Sequence, residues 1–295
     1  MDDACAVLGA GAWGTALAQV LRASGREVAV WGRESDDAIL ADARVVIAAV
    51  PAQATRAVLV RVREVLPKDT VIVLAAKGLE TGTFLRQSEI AAGIMPGAGL
   101  AVLSGPGFAD DLLAGLPTAL TLATNIPQAE ALQRFFAVRT LRPYLSPDVA
   151  GTELGGALKN VIAIGCGLAI GAGLGESARA ALMTRGFAEM QRVAVAMGGQ
   201  PATLSGLSGL GDLVLTGTSA KSRNYRYGLE LGRSGTLAPS GTVEGHATAR
   251  AAFDLCERLG LETPVIRAIA EVTGGVVTLG QAIEDLFNRP LTREG

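Results

Sequence analysis

The residues best suited to chemistry lie near the middle of the chain, in Gly155-Gly156-Ala157-Leu158-Lys159-Asn160. Glu153, Leu154, Leu158 and Val161 recur at helical spacing, so this stretch reads as helix. Gly155 and Gly156 leave one flank bare to another backbone or a flat ligand. A lysine beside a glycine flank is an odd core residue, but its amine can give a proton to an oxygen and take it back. Downstream comes Gly209-Leu210-Gly211-Asp212-Leu213-Val214-Leu215-Thr216. If Asp212 opens a helix, Thr216 lies one turn on and shares its face. Ser222-Arg223-Asn224 then sets a guanidinium between a hydroxyl and an amide, a cluster that grips a phosphate bidentately. Taken singly, Lys159 also fits a helix surface, Asp212 an N-cap and Ser222-Arg223-Asn224 a surface turn.

A second group of residues stands at the start. Gly9-Ala10-Gly11-Ala12-Trp13-Gly14 follows a strand, Ala4 to Leu8, and opens the helical pattern Thr15 to Ala23 before a second strand, Glu27 to Trp31. In that order the glycines serve a tight turn, the close approach of a pyrophosphate and helix–strand packing, while the helix N-terminus holds the anion. A dinucleotide cofactor follows. The second strand ends in Trp31-Gly32-Arg33, where an acidic side chain would take the ribose hydroxyls of NAD. A guanidinium there matches a 2′-phosphate, so NADPH is expected over NADH, with neighbouring Glu34 keeping NADH possible.

The elements that must position these groups are strands first and helices later. Strands are expected at Arg44 to Val50, Thr70 to Ala75, Leu100 to Leu103, Thr118 to Ala123 and Arg139 to Tyr144, with helices from after Pro51 to about Val65 and around Gln128 to Phe136. Ligands of an open α/β sheet bind beyond the carboxyl ends of its strands, which is where Lys77-Gly78-Leu79-Glu80 and Ser104-Gly105-Pro106-Gly107-Phe108-Ala109 fall. Strand signals stop at about Ser146. The expected domains are therefore 1–146, dinucleotide-binding and Rossmann-type, and 147–295, helical and substrate-binding. Two domains also suit 295 residues with 49% apolar and only 4% aromatic content, a core of Ala, Val, Leu and Ile.

Several classes are excluded or disfavoured. The net charge of −2, with both signs dispersed, advertises neither nucleic acid nor an anionic membrane. Cys5, Cys166 and Cys256 lack CxxC spacing, which argues against zinc or a disulfide framework and points to a reducing cytoplasm. The N-terminus shows no signal peptide, and the apolar run Val161 to Leu174 is short and glycine-rich for a membrane span and reads as a buried helix. Zinc-dependent alcohol dehydrogenation lacks its Cys and His ligands. The Tyr-x-x-x-Lys pair of short-chain dehydrogenases is missing after Tyr144, Tyr225 and Tyr227, and the single histidine, His246, reads as structural. Lysine remains as the acid or base.

Together these motifs resemble bacterial NAD(P)-dependent glycerol-3-phosphate dehydrogenase. Gly9-x-Gly-x-Trp13-Gly14-Thr15-Ala16, Ala49-Val50-Pro51, Lys77-Gly78-Leu79-Glu80, Ser104-Gly105-Pro106, Gly156 to Val161, Gly211-Asp212-Leu213, Ser222-Arg223-Asn224 and Val243-Glu244-Gly245 stand in the family's order over nearly the whole chain. The resemblance implies a Rossmann-type domain, an all-helical C-terminal domain and a cleft between them. It implies reversible hydride transfer between the nicotinamide and carbon 2 of dihydroxyacetone phosphate, giving sn-glycerol 3-phosphate for phospholipid synthesis. By the same resemblance Lys159 is the catalytic lysine, positioned with Asp212 and Thr216. Ser222, Arg223 and Asn224 grip the substrate phosphate with Lys77, Gly105 and Gly107 nearby. Gly9, Gly11, Ala12, Trp13, Gly14, Arg33, Lys77, Ala109, Arg223, Val243 and Glu244 serve the cofactor. No metal is implied, and the apolar helical half is compatible with a homodimer.

Two departures stand out. Gly107 replaces the family's usual Ser or Thr, removing a hydroxyl expected near the substrate. Between Arg33 and Asp36 the family's helix, loop and short edge strand are missing, leaving thirteen residues, 32 to 44, to connect two strands. Even with eight of them helical they reach about 29 Å, enough to cross back along one strand. The sheet should lack that edge strand, and the adenine pocket should be more exposed. Two rivals stay open at this point: a 3-hydroxyacid-type dehydrogenase, against which Ser222-Arg223-Asn224 and Gly211-Asp212 count, and an NADPH-binding protein that has lost turnover.

Overall fold

Short β-branched runs alternate with amphipathic helices through the first half of the chain, and the computed structural model folds them into one seven-stranded sheet. It describes residues 4–235 and 244–288. In chain order come β1 (Cys5–Leu8), α1 (Ala12–Ala23), β2 (Val28–Trp31), a 3₁₀ turn at Asp37–Leu40, β3 (Val45–Ala48), α2 (Thr55–Val62), β4 (Val71–Leu74), α3 (Gln87–Ile94), β5 (Gly99–Ser104), α4 (Ala109–Leu113), β6 (Thr118–Thr124), α5 (Ala129–Phe136) and β7 (Leu141–Ser146). The sheet order is β2-β1-β3-β4-β5-β6-β7. The first five strands run parallel, β6 is antiparallel to β5, and β7 is parallel to β6. The inner strands are buried on both faces, as their apolar runs require: Val7, Val45, Ile47 and Val73 pack under one helical layer, and Ala6, Leu8, Val46 and Ile72 under the other.

β2 is the edge of the sheet, so the family's further edge strand is absent here. The thirteen-residue connection closes with less helix than allowed for, a single 3₁₀ turn. The first four strands are shorter than the sequence reading by one to three residues, notably β3, which stops at Ala48 rather than Val50, whereas β5 and β6 run slightly longer and β7 is shifted to Leu141–Ser146. After β3 the chain turns away at Pro51, which cannot donate to a ladder.

Helices build the rest: α6 (Val149–Gly171), α7 (Gly175–Ala196), α8 (Pro201–Leu204), a π-helical turn at Leu207–Gly211, α9 (Asp212–Gly217), α10 (Arg223–Ser234), α11 (Glu244–Arg258), α12 (Pro264–Thr273) and α13 (Leu279–Phe287). α6 is the axis of this half. It begins twelve residues before the apolar run seen in the sequence, capped by Asp148, whose carboxylate accepts from the Gly151 N–H at 2.8 Å. Its 23 residues are long and apolar enough to cross a membrane, correcting the expectation of a short run, but 89% of that apolar window is buried inside the fold. Its glycines cost helix propensity, and packing offsets the cost. A Cβ on Gly167 would collide with the Tyr225 carbonyl, and one on Gly228 with the Ile164 carbonyl, so α6 and α10 lie backbone against backbone.

Candidate active site

The sheet's carboxyl ends meet the side of α6 at its glycine flank. A Cβ on Gly156 would stand 2.5 Å from Ser104 Oγ, and one on Gly155 would stand 2.9 Å from the Ser208 carbonyl oxygen. The bare flank therefore admits the end of β5 and the turn before α9. That close approach carries Asp212 to Lys159 and to Lys77. Lys159 Nζ donates to Asp212 Oδ1 at 2.9 Å and to Thr216 Oγ1 at 2.7 Å, and the Thr216 hydroxyl donates to Asp212 Oδ1 at 3.1 Å. From the sheet side, Lys77 Nζ donates to Asp212 Oδ2 at 2.7 Å and to the Gly105 carbonyl at 3.1 Å.

This knot is buried: Lys159 is 6% exposed, Thr216 3% and Asp212 1%. Burial pushes the Asp212 carboxyl up, but the ammonium charges of Lys159 and Lys77 and their hydrogen bonds outweigh it and hold the group below the usual carboxylate range. Asp212 is thus an ionised counter-charge shared by two lysines, one from each half. Lys77 keeps part of its side chain open to solvent, so the knot has an accessible cationic edge.

The amino-terminal glycine turn has the shape an anion needs. Gly9 adopts φ +113°, and a Cβ there would lie 2.7 Å from the Ala49 carbonyl oxygen. A Cβ on Gly14 would collide with the Gly9 carbonyl, while nothing lies within 4 Å of one on Gly11, which faces open space. α1 starts after Gly11 without a side-chain cap, so its first N–H groups, those of Ala12, Trp13 and Gly14, are available to a diphosphate. The residues present therefore fit a dinucleotide. Trp13 packs on the loop from Ser104 to Phe108: a Cβ on Gly107 would lie 3.1 Å from its Cη2. Ala109 opens α4 beside that loop. At the far end Arg33 and Glu34 are exposed.

The phosphate cluster is more divided than its sequence suggests. Ser222 is the N-cap of α10, its Oγ accepting from the Tyr225 N–H at 3.2 Å. Asn224 is buried; its Oδ1 accepts from the Gly245 N–H at 3.0 Å and its Nδ2 donates to Asn160 Oδ1 at 2.8 Å, which ties α10 and α11 to the residue after Lys159. Arg223 is exposed at the start of α10 with no ion-pair partner among the described residues. Glu244 begins α11, and Val243 lies outside the described residues. His246 stacks on Tyr227 at 5.9 Å, away from the lysines' hydrogen bonds.

Sequence reading missed Glu153 as more than a helix-pattern residue. Buried on α6 six residues before Lys159, it accepts from the Ser88 N–H at 2.8 Å, from the Ser88 hydroxyl, and from Arg86 at 3.4 Å. It thereby ties the helical half to the start of α3. Gln87 there donates to the Gly78 carbonyl at 2.9 Å, next to Lys77. The only signal was a carboxylate within Val149 to Ala157, an otherwise uncharged segment.

Comparison with known proteins places this arrangement in a family. The family model described as NAD-dependent glycerol-3-phosphate dehydrogenase C-terminus matches residues 148–284, and its N-terminus counterpart matches 4–39 and 36–130. The glycerol-3-phosphate dehydrogenase [NAD(P)+] of Cereibacter sphaeroides is 49% identical, over 98% of this chain and 99% of that one. That of Brucella ovis is 42% identical over the whole of both chains. Its alignment runs over 325 positions against 295 residues here, so at least 30 positions have no counterpart in this chain. The break in the N-terminal match falls in the β2–β3 connection. The crystal structure of glycerol-3-phosphate dehydrogenase from Coxiella burnetii superposes with a TM-score of 0.92 at 33% identity, covering 98% of this chain and 99% of that one.

Proposed function

The chain belongs to the family of bacterial NAD(P)-dependent glycerol-3-phosphate dehydrogenases, and from that membership we infer how its own residues carry the reaction. It is an oxidoreductase acting on a CH–OH group, interconverting dihydroxyacetone phosphate and sn-glycerol 3-phosphate with NAD(P)H; this reaction supplies glycerol 3-phosphate for phospholipid synthesis. When bound, the nicotinamide supplies or accepts the hydride at carbon 2. Lys159 holds a proton at Nζ, gives it to the oxygen on carbon 2 as negative charge develops during reduction, and takes it back during oxidation. Asp212 and Thr216 fix that ammonium in place. Lys77 brings a second cation to the same wall, and Arg223, exposed and without an ion-pair partner among the described residues, grips the substrate phosphate beside Ser222 and Asn224. Gly105 and Gly107 border the substrate on the sheet side, the Gly105 carbonyl accepting from the Lys77 ammonium.

Support for these roles comes above all from one carboxylate, Asp212, that binds two lysines contributed by different halves of the chain. NADPH is the preferred cofactor on this reading, with Arg33 meeting its 2′-phosphate and NADH accepted less well; Gly9, Gly11, Ala12, Trp13, Gly14, Ala109, Val243 and Glu244 complete its site. The division into 1–146 and 147–295 is supported by β7 ending at Ser146 and α6 opening at Val149. Buried, unpaired Cys5, Cys166 and Cys256 support a cytoplasmic setting. Exposed Val195, Leu210 and Val214 of the helical half support pairing of two copies, which sedimentation would check.

The test follows NADPH oxidation with dihydroxyacetone phosphate, then repeats it with NADH. Lys159→Ala should lower kcat about 10³-fold while NADPH binding persists. A Lys159→Ala enzyme that turns over like the parent would remove the assignment.

A further inference from the structure

The shortened β2–β3 connection has been rebuilt around a side chain from another element. Arg61, on α2, reaches over the edge of the sheet and makes four hydrogen bonds into the segment that follows β2. Nε and Nη2 donate to the two Asp37 carboxylate oxygens at 3.1 and 2.7 Å, Nη1 donates to the Arg33 carbonyl at 3.0 Å, and Nη2 also donates to the Ser35 carbonyl at 3.2 Å. The guanidinium carbon lies 4.6 Å from the Trp31 ring centroid, and Trp31 Nε1 donates to Asp37 Oδ1 at 2.8 Å. Within the turn, Ser35 Oγ accepts from the Gly32 N–H at 2.9 Å.

Four of the five N–H donors of Arg61 are therefore committed to the protein, and two of them hold the carbonyls on either side of Glu34. Arg33, by contrast, offers its side chain to solvent. The two guanidiniums have different jobs: one holds the backbone of the turn and the other is left to meet a ligand. A planar fork suits the first job, since Arg61 meets four acceptors, both Asp37 oxygens and two carbonyls, whereas an ammonium has three donors radiating from one atom.

We propose that Arg61, held by Asp37 and Trp31, is the positioning residue for nucleotide choice, orienting the Gly32–Ser35 turn so that Arg33 rather than Glu34 faces the 2′-position of the cofactor ribose. This rests on the reading that Arg33 meets the 2′-phosphate.

Steady-state kinetics of the full chain with NADPH and with NADH test both statements separately, in the parent, Arg33→Ala, Arg61→Ala, Arg61→Lys and Asp37→Asn. Arg61→Ala should lower the ratio of kcat/KM for NADPH to that for NADH about tenfold, the size of losing the fixed geometry of a charge-assisted contact. Its kcat with saturating NADH and its KM for dihydroxyacetone phosphate should stay within about twofold of the parent, since the strap lies away from the reacting atoms. Arg61→Lys should not restore the ratio, whereas a role in charge or packing alone would be rescued by lysine. Asp37→Asn should move the ratio the same way by a smaller amount, and it decides the matter if Arg61→Ala folds poorly. If Arg33→Ala abolishes the preference while Arg61→Ala and Asp37→Asn keep it, the strap is overturned and the Arg33 reading stands. A parent without NADPH preference, or an Arg33→Ala that retains it, overturns both.

Discussion

On the proposed reading the cofactor cleft has a catalytic end and an adenosine end, and the two are built on opposite principles. At the catalytic end, Lys77, Lys159, Asp212 and Thr216 come from both halves of the chain, three of them are buried, and each polar head has a partner inside the fold. At the adenosine end, Arg33 and Glu34 are exposed, and the order of their turn depends on one guanidinium from a neighbouring helix. Burial makes the difference. A charge removed from water must be paired and hydrogen-bonded, so every member of the knot over-determines the others. An exposed charge has water as its alternative partner, and position must then be imposed through the backbone.

The first way to break this contrast is to remove the shared counter-charge. Asp212→Asn leaves two ammonium groups facing a neutral amide, one of them buried, so its cost should exceed that of any single change at the adenosine end. We expect kcat to fall about 10²-fold and stability to drop by about 3 kcal/mol in urea unfolding. If activity and stability both stay near the parent's, the knot is not interdependent and the contrast is lost.

These two kinds of construction also decide what can be read from sequence. Lys159, Asp212 and Thr216 were legible because charged or hydroxylic residues stood at helical spacing among glycines and aliphatics, and a buried charge in such company calls for a partner. The sheet was legible because its strands are continuous apolar runs. Arg61 and Asp37 were not: they lie 24 residues apart, among other exposed charges, and only the fold brings them together. Ser222 and Asn224 show the converse. A hydroxyl and an amide beside an arginine suggest anion binding, yet the structure also uses the first as a helix cap and the second to join α10 and α11 to α6. Residue type cannot separate those roles. The start of α6 was hidden because Gly151 and Thr152 precede the pattern that begins at Glu153, and the partner that accounts for the buried Glu153 carboxylate, Ser88, lies on α3.

Glu153 allows the contrast to be sharpened by pH. Burial pushes its carboxyl up to about 7, against the Ser88 hydrogen bonds and the Arg86 charge, which pull it down. Because the folded-state value lies above the unfolded one, the native protein holds a proton that the unfolded chain has released. Stability from this group is therefore full below pH 4.5 and is lost as pH rises through about 7, a change of about 3 kcal/mol in that window. Glu153→Gln should flatten the dependence of unfolding free energy on pH between those limits. An unchanged slope in the variant would show that Glu153 is not the titrating group. Asp212, with its carboxyl held low, should add nothing to the slope in this window; its contribution is lost only as pH falls through its depressed folded-state value.

The smallest expected effect lies between the two ends, at Gly107. Restoring a side chain there with Gly107→Ser supplies the hydroxyl that the substrate loop lacks. It also brings a Cβ to 3.1 Å from Trp13 Cη2 and 3.2 Å from Thr118 Cγ2. Thr118 is buried in β6 and has little room, so the half-buried indole at the start of α1 is the group that must give by a few tenths of an ångström. The two consequences have opposite signs. KM for dihydroxyacetone phosphate should fall about threefold through one added hydrogen bond, while KM for NADPH should rise about threefold as the indole shifts. A fall in the first with no change in the second would mean that the loop, rather than the indole, absorbs the new side chain. The substrate side and the glycine turn would then be mechanically independent, where their contact through Gly107 implies that they are coupled.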